Sequence, residues 1–316
     1  MPAASFDKAA TESNENQRMH KARTANSYTG SSYALENSAP QASDRFDALR
    51  TMFDPGTISH LDRLGVTRGW HCLEVGGGSG SIAAWLSERV GPTGRVVVTD
   101  INTRFLGAIK RPNLDICQHD IVTDPLPEGA FDLVHARLVL MHLEQREDVL
   151  ARVVKALKPG GWLLDEEFDV VSLRANPELS PGEELLNTET AFYRVLNQRG
   201  VDLSFGRILF GRLRALGLTH VSAEGRLSMW TDRSAGAALL RSNFEQLREA
   251  MIQSGYITSR ELAHDIARLD DPNFVTPSPT LWAVQGRRPH SRTATQSFTG
   301  DRNVESSEGI CGWSVL

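Results

Sequence analysis

At 316 residues the chain exceeds the ~150 expected of one domain, which leaves room for one large domain with insertions, or two, around a sizeable core. Its 40% hydrophobic and 23% charged content is ordinary for a globular protein and excludes wholesale disorder, a collagen-like repeat and a disulfide scaffold. Lys plus Arg is 34 against 39 for Asp plus Glu, a formal charge of −5, so the basic excess that coats a phosphate backbone is missing and no nucleic-acid partner is expected.

The three cysteines, Cys72, Cys117 and Cys311, show no CxxC spacing, and no HExxH pair or dense His/Cys/Asp cluster suggests a metal. No run approaches the ~18 apolar residues of a spanning helix, and MPAASFDKAATESNENQ has no apolar core of the signal-peptide kind. A cytoplasmic protein without a membrane partner is the expectation.

Residues 1 to 43 are rich in Ser, Ala, Asn and Thr and read as a largely flexible arm, with Tyr28 and Tyr33 as its anchors. From Asp44, a plausible N-cap, Phe46, Leu49, Met52 and Phe53 recur at helical spacing until Pro55; Ile58, Leu61 and Leu64 mark a second helix ending at Gly65. The centre then alternates short β-rich runs with amphipathic helices, the pattern of a parallel sheet covered on both faces. Strands are expected at 71–76, at RVVVTD ending on Asp100, around Leu114 to Gln118, at FDLVHA and from Trp162 to Asp165. Helices are expected over Ser81 to Val90, Thr103 to Ile109 and Glu144 to Lys158, the last ending at Pro159-Gly160-Gly161. Beyond these, the spacing predicts helices over Glu183 to Gln198, Arg207 to Leu216 and Ala237 to Ile252. Another begins at the capping-box pair Thr258 and Glu261. A half-buried strand through Val221, Ala223, Leu227 and Met229, with a bulge at Gly225, and a final strand LWAVQ complete the domain, 44–286; the tail 287–316 reads as disordered.

The strongest motif is LEVGGGSGS, in which Glu74 is followed by Gly76, Gly78 and Gly80 at alternate positions between a strand and a helix. Glycines there let a ligand approach the main chain, and the helix N-terminus offers unpaired N–H groups. A tight turn alone would need one glycine rather than four in five residues. The dinucleotide signature can also be read, from Gly78, Gly80 and Ala83 with Asp100 twenty residues after Gly80, so a nicotinamide-dependent oxidoreductase is a competing reading of the loop.

With its surroundings, this region resembles the class I S-adenosylmethionine-dependent methyltransferases. Their first motif, an acidic residue, any residue, then alternating glycines, is matched by Glu74 to Gly80. Asp100, His119-Asp120-Ile121, FDLVHAR and LKPGGWLL match their later motifs. The resemblance covers about residues 66 to 168, and its nearest flavour is the small-molecule branch with ubiquinone-biosynthesis-type and natural-product enzymes of secondary metabolism. It implies a Rossmann-like, seven-stranded, mostly parallel sheet with helices on both faces, with the N-terminal helices and insertions at about 183–198 and 235–268 capping the substrate.

The resemblance also implies S-adenosylmethionine as cofactor and S-adenosylhomocysteine as product. The main chain of Gly76, Gly78 and Gly80 would approach the methionine moiety, Glu74 orienting the loop. Asp100 would accept from both ribose hydroxyls, and Ile101 would pack on the adenine. Asp120 and the N–H of Ile121 would read its edge, and Ala136 and Arg137 would line the methionine end. Methyl transfer is a displacement on a sulfonium, so alignment matters more than a base. If the acceptor is a hydroxyl or carbon acid, His142, His135, Asp165, Glu166 and Glu167 are base candidates near the ends of the fourth and fifth strands, with His142 and Glu166 favoured. Phe192, Tyr193, Trp230, Phe244 and Met251 are candidates to line a pocket for a small apolar or aromatic acceptor at O, N or C. A homodimer and a non-methylating cofactor-binding relative remain open readings.

Overall fold

In the computed structural model, which describes residues 34–171 and 183–290, the first helix, α1 (Ala42–Leu64), runs uninterrupted through Pro55. The sequence reading split this stretch in two at the proline. One helix forms because Pro55 and Thr51, whose carbonyl loses its amide partner there, are both exposed, while Thr57, His60, Leu61 and Leu64 are buried and bind the helix to the body. Its N-cap is Gln41 rather than Asp44, which lies in the first turn, and it stops at Gly65 as expected. The segment before it is packed, with Ala34 and Leu35 buried. Tyr28, Tyr33 and residues 291–316 of the predicted tail 287–316 lie outside the described residues, whereas Arg287 and Arg288, read as the start of that tail, pair with the sheet because their main chains bond to the Trp162 and Gly160-Gly161 region.

The alternating region follows as β1 (His71–Val75), α2 (Ser81–Val90), β2 (Arg95–Asp100), β3 (Leu114–Gln118), β4 (Phe131–Arg137), α3 (Arg146–Ala156) and β5 (Leu157–Asp169). The helix expected over Thr103 to Ile109 is a single 3-10 turn, Thr103–Phe105. Asn102 caps it by accepting the Arg104 N–H, and Gly107 interrupts any continuation. The Pro159-Gly160-Gly161 stretch, expected to separate helix from strand, lies with Lys158, expected as the helix's last residue, within β5 as a bulge: Phe131 pairs with Leu157 but Leu133 already pairs with Trp162. Main-chain bonds between Gly160 and Arg288, and between Arg288 and Gly161, complete the pairing there.

The remainder comprises α4 (Glu183–Gln198), α5 (Phe205–Ala215), β6 (Thr219–Arg226), β7 (Met229–Thr231), α6 (Ala235–Gln253), α7 (Ser259–Arg268), β8 (Val275–Pro277) and β9 (Thr280–Arg287). β6 is an edge strand, mostly exposed rather than half-buried. Its register shift lies between Thr219 and Ser222, while Gly225 pairs regularly with Trp282. Met229 belongs to a separate two-stranded ribbon, β7 with β8, which the sequence reading did not anticipate. The capping box of α7 is formed in both directions by Thr258 and Glu261.

The main sheet has seven strands in the order β3-β2-β1-β4-β5-β9-β6, parallel except for β9, which is antiparallel to both neighbours. Consecutive residues feed opposite faces. Cys72, Val96, Leu133 and Leu164 join Leu61 of α1 and Leu86 of α2, whereas Leu73, Val97, Val134 and Leu163 join Val149 of α3 and Leu209 of α5. The inserted helices α4, α6 and α7 pack on one another, and α6 packs against α1. No helix among the described residues is long and apolar enough to cross a membrane.

The backbone of α5 lies hard against β5: a Cβ on Gly206 would sit 2.4 Å from the carbonyl oxygen of Glu167. Gly206→Ala is therefore expected to cost about 1–3 kcal/mol, read as a lowered urea midpoint with unchanged slope.

Candidate active site

The chain moves outward from β1 to β2 and β3, then returns to the other side of β1 as β4. The strand order reverses there, and such a reversal opens a crevice at the carboxyl ends of the strands. The glycine loop, Asp100 and the ends of β4 and β5 all lie on this rim. At Gly78, φ is +54° and a Cβ would come within 2.9 Å of the Phe46 ring, so backbone and packing both demand glycine. At Gly76, the same atom would meet Val139 at 2.4 Å, so the loop after β4 touches the glycine loop directly.

Asp100 Oδ2 accepts the Gly78 N–H at 3.0 Å, and Oδ1 accepts the Asn102 N–H at 2.9 Å and the Asn37 amide at 3.4 Å. Burial raises its carboxyl pKa above the ordinary value, and these donors oppose the rise. Beside it Ile101 is 43% exposed, an apolar side chain left at the crevice rim. Asp120 Oδ1 accepts the Val122 N–H at 2.8 Å. Arg152 holds the same turn through the carbonyls of Ile121 and Val122, at 2.7 Å each, and Ile121 is buried.

Sequence reasoning missed the covering of this rim by residues 34 to 41, ahead of α1. Arg45 on α1 donates to the Leu35 carbonyl at 3.0 Å and to Asn37 Oδ1 at 2.8 Å, and also pairs with Gln246. Arg104 reaches the Ser38 carbonyl, Arg199 just after α4 the Ala34 carbonyl, and Gln246 of α6 the Glu36 carbonyl. A strap of polar residues is thereby laid from Asp100 to the helical cap. Its composition carries no apolar period, which is why the sequence reads as a free arm.

Beneath the rim runs a buried charge network. His135 Nδ1 lies 2.6 Å from Glu74 Oε2, and Nε2 lies 3.3 Å from Glu166 Oε2. Burial opposes the imidazolium, but Glu74 and Glu166 outweigh it and hold the pKa up to about 9, so His135 donates from both nitrogens. Burial likewise opposes the Glu166 carboxylate, and the bond from His135, with the charges of His135 and Arg137, keeps its pKa below the ordinary value. Thr57 also donates to Glu166, and Arg137 bridges Thr57 at 2.9 Å and Asp54 at 2.8 Å, on either side of Pro55. Arg137 thus ties α1 to the sheet, and Ala136 beside it is buried.

On the opposite face of β5, Glu167 Oε1 accepts the N–H groups of Val139 at 3.1 Å and Leu140 at 2.6 Å, fixing the turn that carries His142. Asp165 is fully buried and neither of its oxygens has a hydrogen-bond partner; burial, with Glu166 adding and His135 opposing, pushes its carboxyl up to about 7.

His142 lies in the 3-10 turn Leu140–His142 that follows β4. Burial, reinforced by Arg45 and Arg146, pushes its pKa down to about 3, so the imidazole is neutral at ordinary pH. It lines a largely apolar cleft with Arg45, Met141, Phe168, Trp230 and Asn243. Of the predicted pocket residues, Phe192, Tyr193 and Trp230 line this cleft, while Phe244 and Met251 are wholly buried. The two favoured bases are not brought together: Glu166 lines a different cavity, with Gly56, Arg226 and Ser278.

The family profile described as a methyltransferase domain matches residues 73–165. Over 116 residues the chain is 38% identical to the ubiquinone/menaquinone biosynthesis C-methyltransferase UbiE of Pseudomonas fluorescens, covering 34% of this chain and 45% of that one. It is 31% identical over 137 residues to UbiE of Pseudoalteromonas translucida, covering 41% and 51%. The chain thus spans about half the length of the curated relatives it matches. Among solved structures, the phosphoethanolamine N-methyltransferase 2 of Haemonchus contortus, in complex with phosphomonomethylethanolamine and S-adenosylhomocysteine, shares the fold at a TM-score of 0.53 and 16% identity, covering 83% of this chain and 61% of that one. A Haloferax volcanii methyltransferase bound to the Trm112 activator shares it at 0.50 and 17% identity, covering 79% and 96%.

The Asp165 carboxyl yields a pH test. Its pKa is raised from an ordinary 3.8 to about 7, so the folded state binds the extra proton, and the stabilisation present below 3.8 is lost as pH rises through 7. Asp165→Asn, which cannot ionise, is expected to gain on the wild type between pH 5 and pH 8 by a few kcal/mol, read from urea midpoints at the two pH values.

Proposed function

We propose, for a chain whose residues 73–165 match the methyltransferase domain family, that the protein is an S-adenosylmethionine-dependent methyltransferase acting on a small, largely apolar molecule. The observation that carries this reading is a glycine loop joined to Asp100 at the strand-order reversal, with an apolar cleft reached through the turn after β4. The donor set suits a charged nucleoside. Asp100 offers carboxylate oxygens at the end of β2, and Ile101 an exposed apolar face beside it.

In this reading the bound cofactor supplies an activated methyl group on a sulfonium sulfur. The main chain of Gly76, Gly78 and Gly80 holds its methionine end, with Glu74 orienting the loop from below. Asp100 accepts from the ribose hydroxyls in place of the Asn37 contact. Ile101 covers one face of the adenine, and Asp120 with the Ile121 N–H reads its edge. Ala136 and Arg137 close the floor, Arg137 through the helix it tethers.

The acceptor lies in the cleft against His142. A neutral imidazole with a pKa near 3 is a poor proton acceptor, so His142 serves better to orient a nucleophile by hydrogen bonding than to ionise it. Glu166, committed to His135 and Thr57 and lining another cavity, is not favoured as the base. Catalysis then rests on alignment and exclusion of water, with α1, α4 and α6 as the cover.

Calorimetric titration with S-adenosylhomocysteine tests the reading, with NADH and NADPH as controls. Saturable binding of the sulfur ligand is expected, weakened about tenfold or more in Asp100→Ala, since hydrogen bonds to a charged group are worth about 1.5–3 kcal/mol. Binding of NADH alone would overturn it.

A further inference from the structure

The ribbon of β7 with β8 stands apart from the main sheet, and it turns one large side chain inward. Met229 and Thr231 are exposed, whereas Trp230 between them is buried and pairs with Thr276 of β8. Ser228 and Ser278 close the ribbon, the Ser278 N–H donating to the Ser228 carbonyl at 2.8 Å and the Ser278 hydroxyl accepting the Ser228 N–H at 2.9 Å. The indole seats on the first turn of α6, where a Cβ on Gly236 would fall 2.1 Å from its Cγ.

Trp230 borders two cavities, the cleft of His142 and the chamber of Gly56 and Glu166, and no other residue lines both. The boundary around it is equally thin. Phe168 lines the cleft and Phe53 the chamber, their rings edge to face with centroids 5.6 Å apart, and Pro279 lines the cleft where Ser278 lines the chamber. The charged groups of the chamber wall are engaged, Glu166 by His135 and Thr57 and Arg226 by Glu224, while Met52, Phe53, Leu281 and Ala283 give it an apolar flank.

We propose that Trp230 is a specificity-determining residue: its indole is the partition that stops a neutral apolar molecule in the cleft from extending into the chamber, so the cleft selects short molecules over long ones. This deepens the methyltransferase reading and rests on it only for the ligand's role as methyl acceptor. A ring packed on a helix backbone and fixed by strand pairing yields less readily than a free rotamer. In an interior packed to crystal density, ligand atoms added beyond the cleft meet it as overlap rather than as contact.

The test is a chain-length series, acetophenone, butyrophenone and hexanophenone, titrated calorimetrically into the full chain. Each buried methylene is worth about fourfold in affinity. In the wild type that gain is expected to stop within the series, hexanophenone binding no tighter than butyrophenone. In Trp230→Ala, hexanophenone is expected to gain about tenfold or more over the wild type while acetophenone changes less than about twofold. Trp230→Phe, which keeps a ring in the partition, retains the limit. Trp230→Leu gives the same reading as the alanine variant, with a smaller gain, should the latter fail to fold. A gain sustained through the whole series in the wild type, a limit unmoved by both the alanine and leucine substitutions, an equal gain for all three ketones, or binding of none would overturn the proposal. S-adenosylhomocysteine binding without a chain-length limit sinks this inference alone. A limit that moves with Trp230, without S-adenosylhomocysteine binding, sinks the methyltransferase reading and leaves the partition standing.

Discussion

The His135 imidazolium between Glu74 and Glu166 is the interaction on which the site's architecture hangs. It joins the carboxyl ends of β1, β4 and β5 below the crevice, and through Glu166 and Thr57 it reaches α1. Each member is buried, so each charge tolerates desolvation only because another faces it; removing one partner from such a group typically costs about 3–5 kcal/mol. The network carries no obvious chemistry of its own. Its effect is geometric: the rim residues are held at fixed separations while the helices above them differ in packing and polarity.

Two consequences follow from where α1 is held. Arg137 grips it at Asp54 and Thr57, which keeps the helix continuous through Pro55 and sets its N-terminal half over the glycine loop, with Phe46 against Gly78. The same helix presents Arg45 to both the strap and the cleft. The Asp100 end of the crevice and the polar end of the cleft therefore share one guanidinium and one short segment of chain. Glu167 does the corresponding work from β5, fixing the turn that touches Gly76 at one end and carries His142 at the other.

The inserted helices supply what the sheet lacks. A doubly wound sheet offers a crevice at its rim but no enclosed apolar volume there; α4 and α6, packed on α7 and α1, build that volume. The cleft's polarity is uneven because its two long walls come from different sources. Aromatic and aliphatic residues of α4, α6 and β5 face Arg45 and His142 from α1 and the turn after β4.

Local pattern made the parallel strands legible. Five β-rich runs separated by amphipathic segments, four glycines in five residues and an acid at the end of the second strand are all short-range features, and they require only neighbouring residues to be interpreted. Tertiary contacts decided the rest. Pro55 reads as a break until burial of Thr57 and Leu61 outweighs the lost bond; Pro159-Gly160-Gly161 reads as a stop until β9 and Arg288 pair across it. Polar residues such as Asn37 and Asn243 gave no signal, since an isolated amide is indistinguishable from a solvated one until folding buries it. His142 and Glu166 lie only twenty-four positions apart, yet they line different cavities. By itself the sequence determined the sheet and its glycine loop, because these depend on period and turn chemistry. Only the tertiary structure decided which charges are paired and which polar residues line the cleft, because both depend on residues brought together from distant parts of the chain.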